Sequence, residues 1–149
     1  MKNFMKIALA LALAMTLALG MISCNQAEPT ETLAPEETIA PEGLWATATH
    51  LKNVTVGEGS KEVVIDVEID GKSIAITLKT DAANLGEALF AEELINDASF
   101  FDTLNGIKAD WDADSAYWAF YQGEEYMMVG VADTVISGGE RYRFVYAKY

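Results

Sequence analysis

Three aspartates at alternate positions, Asp110, Asp112 and Asp114, are the most distinctive polar residues of this sequence. Carboxylate oxygens at this spacing are the hard ligands that Ca²⁺-binding loops use. An EF-hand loop beginning at Asp110 would need glycine at its sixth position and glutamate at its twelfth, where this sequence has Ser115 and Tyr121. The segment is therefore not an EF-hand. Two interpretations stay open, a Ca²⁺ site of another kind and a polar loop whose aspartates cap turns.

A second candidate site is a group of aromatic, amide and methionine side chains that follows the aspartates. Its members are Trp118, Tyr121, Gln122, Tyr126, Met127 and Met128. Side chains alternate across a strand, so Trp118 and Tyr121 lie on opposite faces, and a sheet covered on one side leaves one of them exposed. Met127 and Met128 are adjacent, so one of them also points away from the core. The group is either an adaptable apolar binding patch or a face of the sheet that has no binding role.

The sequence contains no pattern of residues that clearly indicates a catalytic site. A nucleophilic triad needs a base positioned on a serine or cysteine. The single histidine, His50, lies in a segment of ambiguous structure, and the single cysteine, Cys24, has another explanation given below. The 23 acidic residues of so acidic a chain are expected to form mainly a solvated surface. We therefore expect a binding protein and not an enzyme.

A β-hairpin is the first element that the sequence predicts. In residues 63–69 and 74–78, apolar residues alternate with mostly polar or small ones, which is typical of strands with one covered face. The intervening pair Asp70-Gly71 is favoured in two-residue hairpin turns, which need positive φ. Tyr142 and Phe144 recur with the same period of two in a late strand, and we expect them in the core together with Phe120 and Tyr146. An edge strand at Val54 and Val56 is a further option.

A helix is expected to cover one side of this sheet. Leu85, Ala88 and Leu89 follow one another at helical spacing, Asp81 is a plausible N-cap, and the helix should end near residues 94–96. A hairpin, then a helix, then further strands predicts an α+β fold with a mixed or antiparallel sheet and one main helix.

Five short motifs follow one another in order between about residues 60 and 147. They are LGEAL at 85–89, LNG at 104–106, YWAFYQG at 117–123, GVAD at 130–133 and SGGE at 137–140. Together they resemble a bacterial domain family of unassigned function, which is similar to the C-terminal β-domain of transcobalamin and intrinsic factor, the vitamin B12 carriers. The resemblance implies a small β-grasp-like domain.

The same resemblance implies a ligand. In the carriers, the region before the Gly-Ile-Ala-Asp-like turn reaches the corrinoid, and it corresponds here to Tyr126, Met127 and Met128, with Trp118 nearby. The carriers enclose the ligand between this domain and a large helical domain, so we expect only half of that site in this chain. Gln122 stands where family members often have asparagine. The implied ligand is a corrinoid or a similar amphiphilic small molecule.

Residues 1–23 have the pattern of a lipoprotein signal peptide. Lys2 and Lys6 precede an apolar run over residues 7–22, which is shorter than the roughly 20 residues of a membrane span. The run ends in Met-Ile-Ser-Cys at 21–24, which resembles the lipobox of bacterial lipoproteins, whose cysteine is lipidated. An ordinary signal peptide is the alternative. Because a lone cysteine cannot form an internal disulfide, we expect Cys24 to be lipidated and to hold the protein at the extracytoplasmic side of a membrane.

Charge and composition define the rest of the chain. Removal of residues 1–23 takes away two of the ten basic residues and none of the 23 acids, which leaves a net charge of about −15. Such a protein is repelled by nucleic acid and by anionic lipid headgroups. Residues 24–43 contain all three prolines and are predicted to be an extended acidic linker. Residues 44–149 then form one domain, which is large enough to bury a core without disulfides.

The sequence thus predicts a lipid-anchored extracytoplasmic binding module that captures a corrinoid or a similar small molecule for uptake. A Ca²⁺-binding surface domain and an envelope module that interacts with other proteins are the alternatives.

Overall fold

A mixed sheet of six strands is the framework of residues 37–149, which are the residues that the computed structural model describes. The strands of this region are β1 (Val54–Gly57), β2 (Lys61–Ile69), β3 (Lys72–Thr80), β4 (Thr103–Leu104), β5 (Ile107–Lys108), β6 (Ala116–Gln122), β7 (Glu125–Tyr126) and β8 (Arg141–Lys148). Its helices are α1 (Leu85–Ala91) and α2 (Trp111–Asp114), with 3-10 turns at Gly43–Thr47 and Val131–Asp133.

The strand order β1-β3-β2-β8-β6-β7 places β2 and β8 side by side at the centre of the main sheet. These two strands are parallel, and each has an antiparallel partner on its other side, β3 and β6 respectively. The short strands β4 and β5 form a separate antiparallel pair. The predicted α+β fold, with a mixed sheet and one main helix, is confirmed.

The hairpin of β2 and β3 also confirms its prediction. Asp70 and Gly71 have φ angles of 51° and 75°, as a type I′ turn requires at both central positions. The pairing runs without interruption from Ile69 opposite Lys72 to Lys61 opposite Thr80. The alternation in the sequence therefore sets which face of each strand is buried.

The core lies between the covered face of the sheet and α1. Val63, Ile65 and Val67 of β2 are fully buried, as are Leu85, Ala88 and Leu89 of the helix. The rings expected in the core, Tyr142, Phe144, Tyr146 and Phe120, are all buried there. Helical spacing in α1 and alternation in the strands therefore direct apolar side chains into one layer.

The helix begins and ends at other residues than the sequence predicted. Its N-cap is Asn84, whose side-chain oxygen accepts a hydrogen bond from the Glu87 N–H at 2.9 Å. Asp81 instead accepts bonds from the N–H and hydroxyl of Ser60, at 2.8 and 2.7 Å. The helix ends at Ala91, because Glu93 has a φ angle of 55° that a helix cannot continue through. The predictions of Asp81 as cap and of an end near residues 94–96 were therefore wrong.

The segment before the hairpin packs against the domain. β1 pairs in parallel with the outer side of β3, which confirms an edge strand at Val54 and Val56. Ile39 is buried, and its N–H donates to the Leu51 carbonyl at 2.7 Å. Core packing therefore begins before Leu44, inside the stretch that the sequence assigned to the linker. The signal peptide, Cys24 and residues 24–36 of the linker lie outside the described residues.

The turn between β4 and β5 binds the main chain of His50, the only histidine of the sequence. Asn105 and Gly106 have φ angles of 52° and 77°, and Asn105 is fully buried. The Asn105 side chain accepts a hydrogen bond from the His50 N–H and donates one to the His50 carbonyl, both at 2.9 Å. Burial lowers the pKa of His50.

In residues 37–149, no helix is long and apolar enough to cross a membrane.

Candidate functional site

An apolar groove of about 460 Å³ lies beside β6, and we call it the aromatic groove. Its lining residues come from four segments, 99–102, 109–111, 116–120 and 126–131. The first and second of these come from the region around β4, β5 and α2, and the last begins at the end of β7. The groove therefore exists only because the fold brings loop residues from both sides against one strand.

The floor of the aromatic groove is built of rings that pack on other rings. Phe120 is buried and stacks on Phe144, with ring centroids 4.7 Å apart and planes 6° from parallel. Trp118 packs edge-on against Tyr146 at 5.4 Å, and Phe101 packs edge-on against Phe144 at 5.8 Å. Each of these three floor rings is thus packed against a second, buried ring of the core.

The rim of the groove exposes large apolar side chains to solvent. Phe100 is 92% exposed, Trp111 57%, and Tyr126 and Val129 each 48%. A contiguous exposed apolar surface of this kind marks an interaction site more often than scattered single residues do. The rim is therefore a surface on which flat apolar groups can bind.

Main-chain polar groups border this apolar surface. On the outer side of β6, pairing with β7 covers only Tyr121 and Gln122, and the Phe120 carbonyl accepts the Met127 N–H at 2.8 Å. Main-chain groups two residues apart point to the same side of a strand. The N–H and C=O of Trp118 therefore point to the same side of β6 as the Phe120 carbonyl, at a position beyond the end of β7. The Trp118 indole N–H is buried and has no hydrogen-bond partner within residues 37–149. The main chain of Trp118 on this edge would offer one donor and one acceptor to a ligand that carries amide groups.

The predicted ligand-binding residues divide into two groups. Trp118, Tyr126 and Met127 line the groove, whereas Tyr121, Gln122 and Met128 are outside its lining. Tyr121 lies on the other face of the sheet, where the Arg143 guanidinium stands 4.8 Å from its ring centroid. Met128 is 89% exposed. Of the adjacent methionines, one packs on the core and the other points to solvent, as their adjacency predicted.

Sequence reasoning missed most of the rim. Phe100, Phe101, Trp111, Tyr117 and Val129 line the groove but were not among the candidates. The available signal was the presence of bulky apolar residues in polar, turn-rich segments, such as a tryptophan between two aspartates. Such residues have no obvious place in a core and therefore indicate a functional surface.

The acidic segment caps a short helix. One carboxylate oxygen of Asp110 accepts the Ala113 N–H at 2.9 Å, and the other lies 2.8 Å from the Lys108 ammonium. The hydrogen bond from Lys108 and that from the Ala113 N–H lower the pKa of Asp110, and the Asp110 carboxylate raises the pKa of Lys108. Among residues 37–149, no three histidine, cysteine, aspartate or glutamate side chains are grouped so that they could hold a metal ion. Asp112 and Asp114 are exposed.

Comparison of the sequence with protein-family profiles and with curated proteins finds no match. Among solved structures, one from Ruminococcus gnavus, described provisionally as a metal-binding protein, is similar to this chain. The two are 25% identical with a TM-score of 0.55, over 60% of this chain and 99% of that one. Haptocorrin in complex with Cbi is more distant, at 17% identity and a TM-score of 0.46, over 63% of this chain and 27% of haptocorrin. The first likeness supports the fold described above.

Proposed function

We propose that this protein is a lipid-anchored extracytoplasmic module that binds an amphiphilic small molecule in the aromatic groove. The observation that supports this most is the combination of a floor of closely packed rings with a solvent-exposed aromatic rim. The volume of about 460 Å³ lies within the range of roughly 300–1,000 Å³ that small-molecule sites occupy.

A corrinoid is the specific ligand that we propose, following the resemblance to the carrier domains. A corrin ring is broad, apolar on its faces and edged with amides. The rings of Trp118 and Phe120 would meet a face of the ring, and the main-chain groups of Trp118 on the edge beyond β7 would meet an edge amide. Because the groove is open on one side, burial of the ligand would be partial. We therefore expect a dissociation constant in the micromolar range or weaker, or about 8 kcal/mol of binding free energy at most.

Calorimetric titration of the protein with cobinamide and cobalamin tests this proposal. We expect a saturable heat from the parent protein and at least a roughly tenfold weaker affinity for Val129→Asp, because a carboxylate in the groove must lose water when the ligand covers it. Met128→Asp is the matched control, since the same charge is introduced one residue away and outside the groove. Circular dichroism establishes that both variants are folded.

Two results would contradict the proposal. No heat at ligand concentrations near a millimolar would exclude capture by this protein alone, and an interaction module of the cell envelope would become the better account. An equal loss of affinity in Met128→Asp and Val129→Asp would mean that the ligand does not bind in the groove.

Metal binding is a second candidate, favoured by the likeness to the Ruminococcus gnavus protein. This candidate predicts that millimolar Ca²⁺ raises the melting temperature of the parent by mass action. The double variant Asp112→Asn/Asp114→Asn should lose that increment, since it removes two carboxylates and keeps Asp110 as the helix cap. Glu124→Gln/Glu125→Gln makes the same change of charge elsewhere and should retain the increment. No increment in the parent would leave the aspartates with the capping role alone.

A further inference from the structure

We infer that the ligand of the aromatic groove is a cation, an apolar or aromatic body that carries a positive charge. This inference rests on the proposed function, because it names the class of molecule that the same groove accepts. Three features of the groove support it: the charges of its rim, the state of the neighbouring lysine and the arrangement of its exposed rings.

Every charged residue of the segments that line the groove is negative. Residues 99–102 and 109–111 contain Asp102 and Asp110 and no lysine or arginine, and residues 112–115, between two lining segments, add Asp112 and Asp114. Residues 126–131, on the other side of the groove, contain no charged residue. Asp102 itself lines the groove. A ligand that enters therefore meets a low-polarity surface within a negative potential, which concentrates cations and repels anions.

The lysine beside the groove compensates only part of this charge. The Lys108 ammonium lies 2.8 Å from Asp110 and 3.8 Å from Asp102. It is thus committed to two of the four carboxylates, and one positive charge remains against four negative ones. Asp112, next to the rim residue Trp111, is exposed and makes no ion pair that would neutralise it among residues 37–149.

The exposed rings are arranged so that some faces remain open to a cation. The Trp111 ring centroid lies 6.2 Å from that of Tyr117 and 6.1 Å from that of Tyr149, at interplanar angles of 63° and 49°. Tilted rings of this kind cannot cover each other's faces fully. Cations bind over such faces, most favourably over tryptophan. The same geometry already occurs within this domain, where Arg143 lies over Tyr121.

Three small probes of similar size and different charge test the inference on the full-length protein. They are benzyltrimethylammonium, benzyl alcohol and phenylmethanesulfonate, titrated with tryptophan fluorescence as the signal. We expect the cation to bind at least about fivefold more tightly than the neutral probe and the anion to bind most weakly. Raising the salt concentration should reduce the differences in affinity between the probes, because salt screens the exposed charges of the rim.

Two rim variants and one control variant separate the effect of the rim charges from that of the overall charge of the protein. Asp112→Asn alone, and Asp112→Asn together with Asp114→Asn, should weaken the affinity for the cation several-fold and leave the affinity for the neutral probe unchanged. Glu62→Gln/Glu87→Gln removes two charges that lie away from the groove and should alter the affinity for neither probe.

The possible failures are distinguishable. If the neutral probe binds and the cation binds no better, the inference is overturned and the groove remains a binding site. If none of the three probes binds, the inference is overturned, and the titration with cobinamide and cobalamin decides the proposed function separately. If Glu62→Gln/Glu87→Gln weakens cation binding as much as the rim variants do, the rim does not select the charge, and the inference is overturned as well.

Discussion

Phe144→Ala should lower the free energy of unfolding by about 3–5 kcal/mol, the range expected for the loss of a buried phenylalanine ring. Phe144 is fully buried in the central strand β8. Its ring stacks on Phe120 and meets Phe101 edge-on, so its removal leaves a cavity under the floor of the aromatic groove. We therefore expect weaker binding of groove ligands as well as lower stability.

Urea unfolding followed by circular dichroism measures this loss. Phe144→Leu keeps most of the side-chain volume and should lose less than half as much stability. Val135→Ala, at a residue that is 75% exposed, should be close to neutral and serves as the surface control. A loss for Phe144→Ala below about 1 kcal/mol, which is typical of an ordinary substitution, would show that this ring does not support the core.

Cys24→Ala should move the protein from the membrane fraction to the soluble fraction. The proposed anchor is a lipid on the Cys24 sulfur, and an acidic chain has no electrostatic attraction to anionic headgroups. Labelling of growing cells with radioactive palmitate, followed by fractionation, measures both the modification and the location.

Ser23→Ala is the matched control for this anchor. It replaces one small residue by another in front of the cysteine and should remain labelled and membrane-bound. Incorporation of palmitate that persists in Cys24→Ala would overturn the proposed lipidation site.

The long strands β2, β3 and β8 were predictable because their signals are local. Alternation over β2 and β3 and the Asp70-Gly71 pair specify the hairpin, its register and its buried face without reference to the rest of the chain. The period of two in Tyr142 and Phe144 likewise identifies a buried strand. The order of elements was sufficient for the fold class.

Features that depend on residues distant in sequence were not predictable in the same way. Asp81 has the right chemistry for an N-cap, but Ser60 from another part of the chain engages it, and Asn84 caps the helix. The rim of the groove also depends on residues that are distant in sequence. Phe100 and Trp111 become neighbours of Trp118 only after the sheet has assembled, so no spacing in the sequence joins them. Alternation in the sequence already placed Tyr121 on the opposite face from Trp118, but it did not show which of the two faces carries the groove.

The central position of β8 determines when this domain can fold. Asp66 and Arg141, which form an ion pair between the two central strands, are 75 residues apart in the chain. Until β8 has been synthesised, the hairpin of β2 and β3 has one bare edge, and β6 lacks its long partner. Pairings between such distant segments require closure of a long loop, and they slow folding relative to local contacts. The nascent chain should therefore remain unfolded until β8 is available, and a chain truncated before β8 should aggregate through its open strand edges.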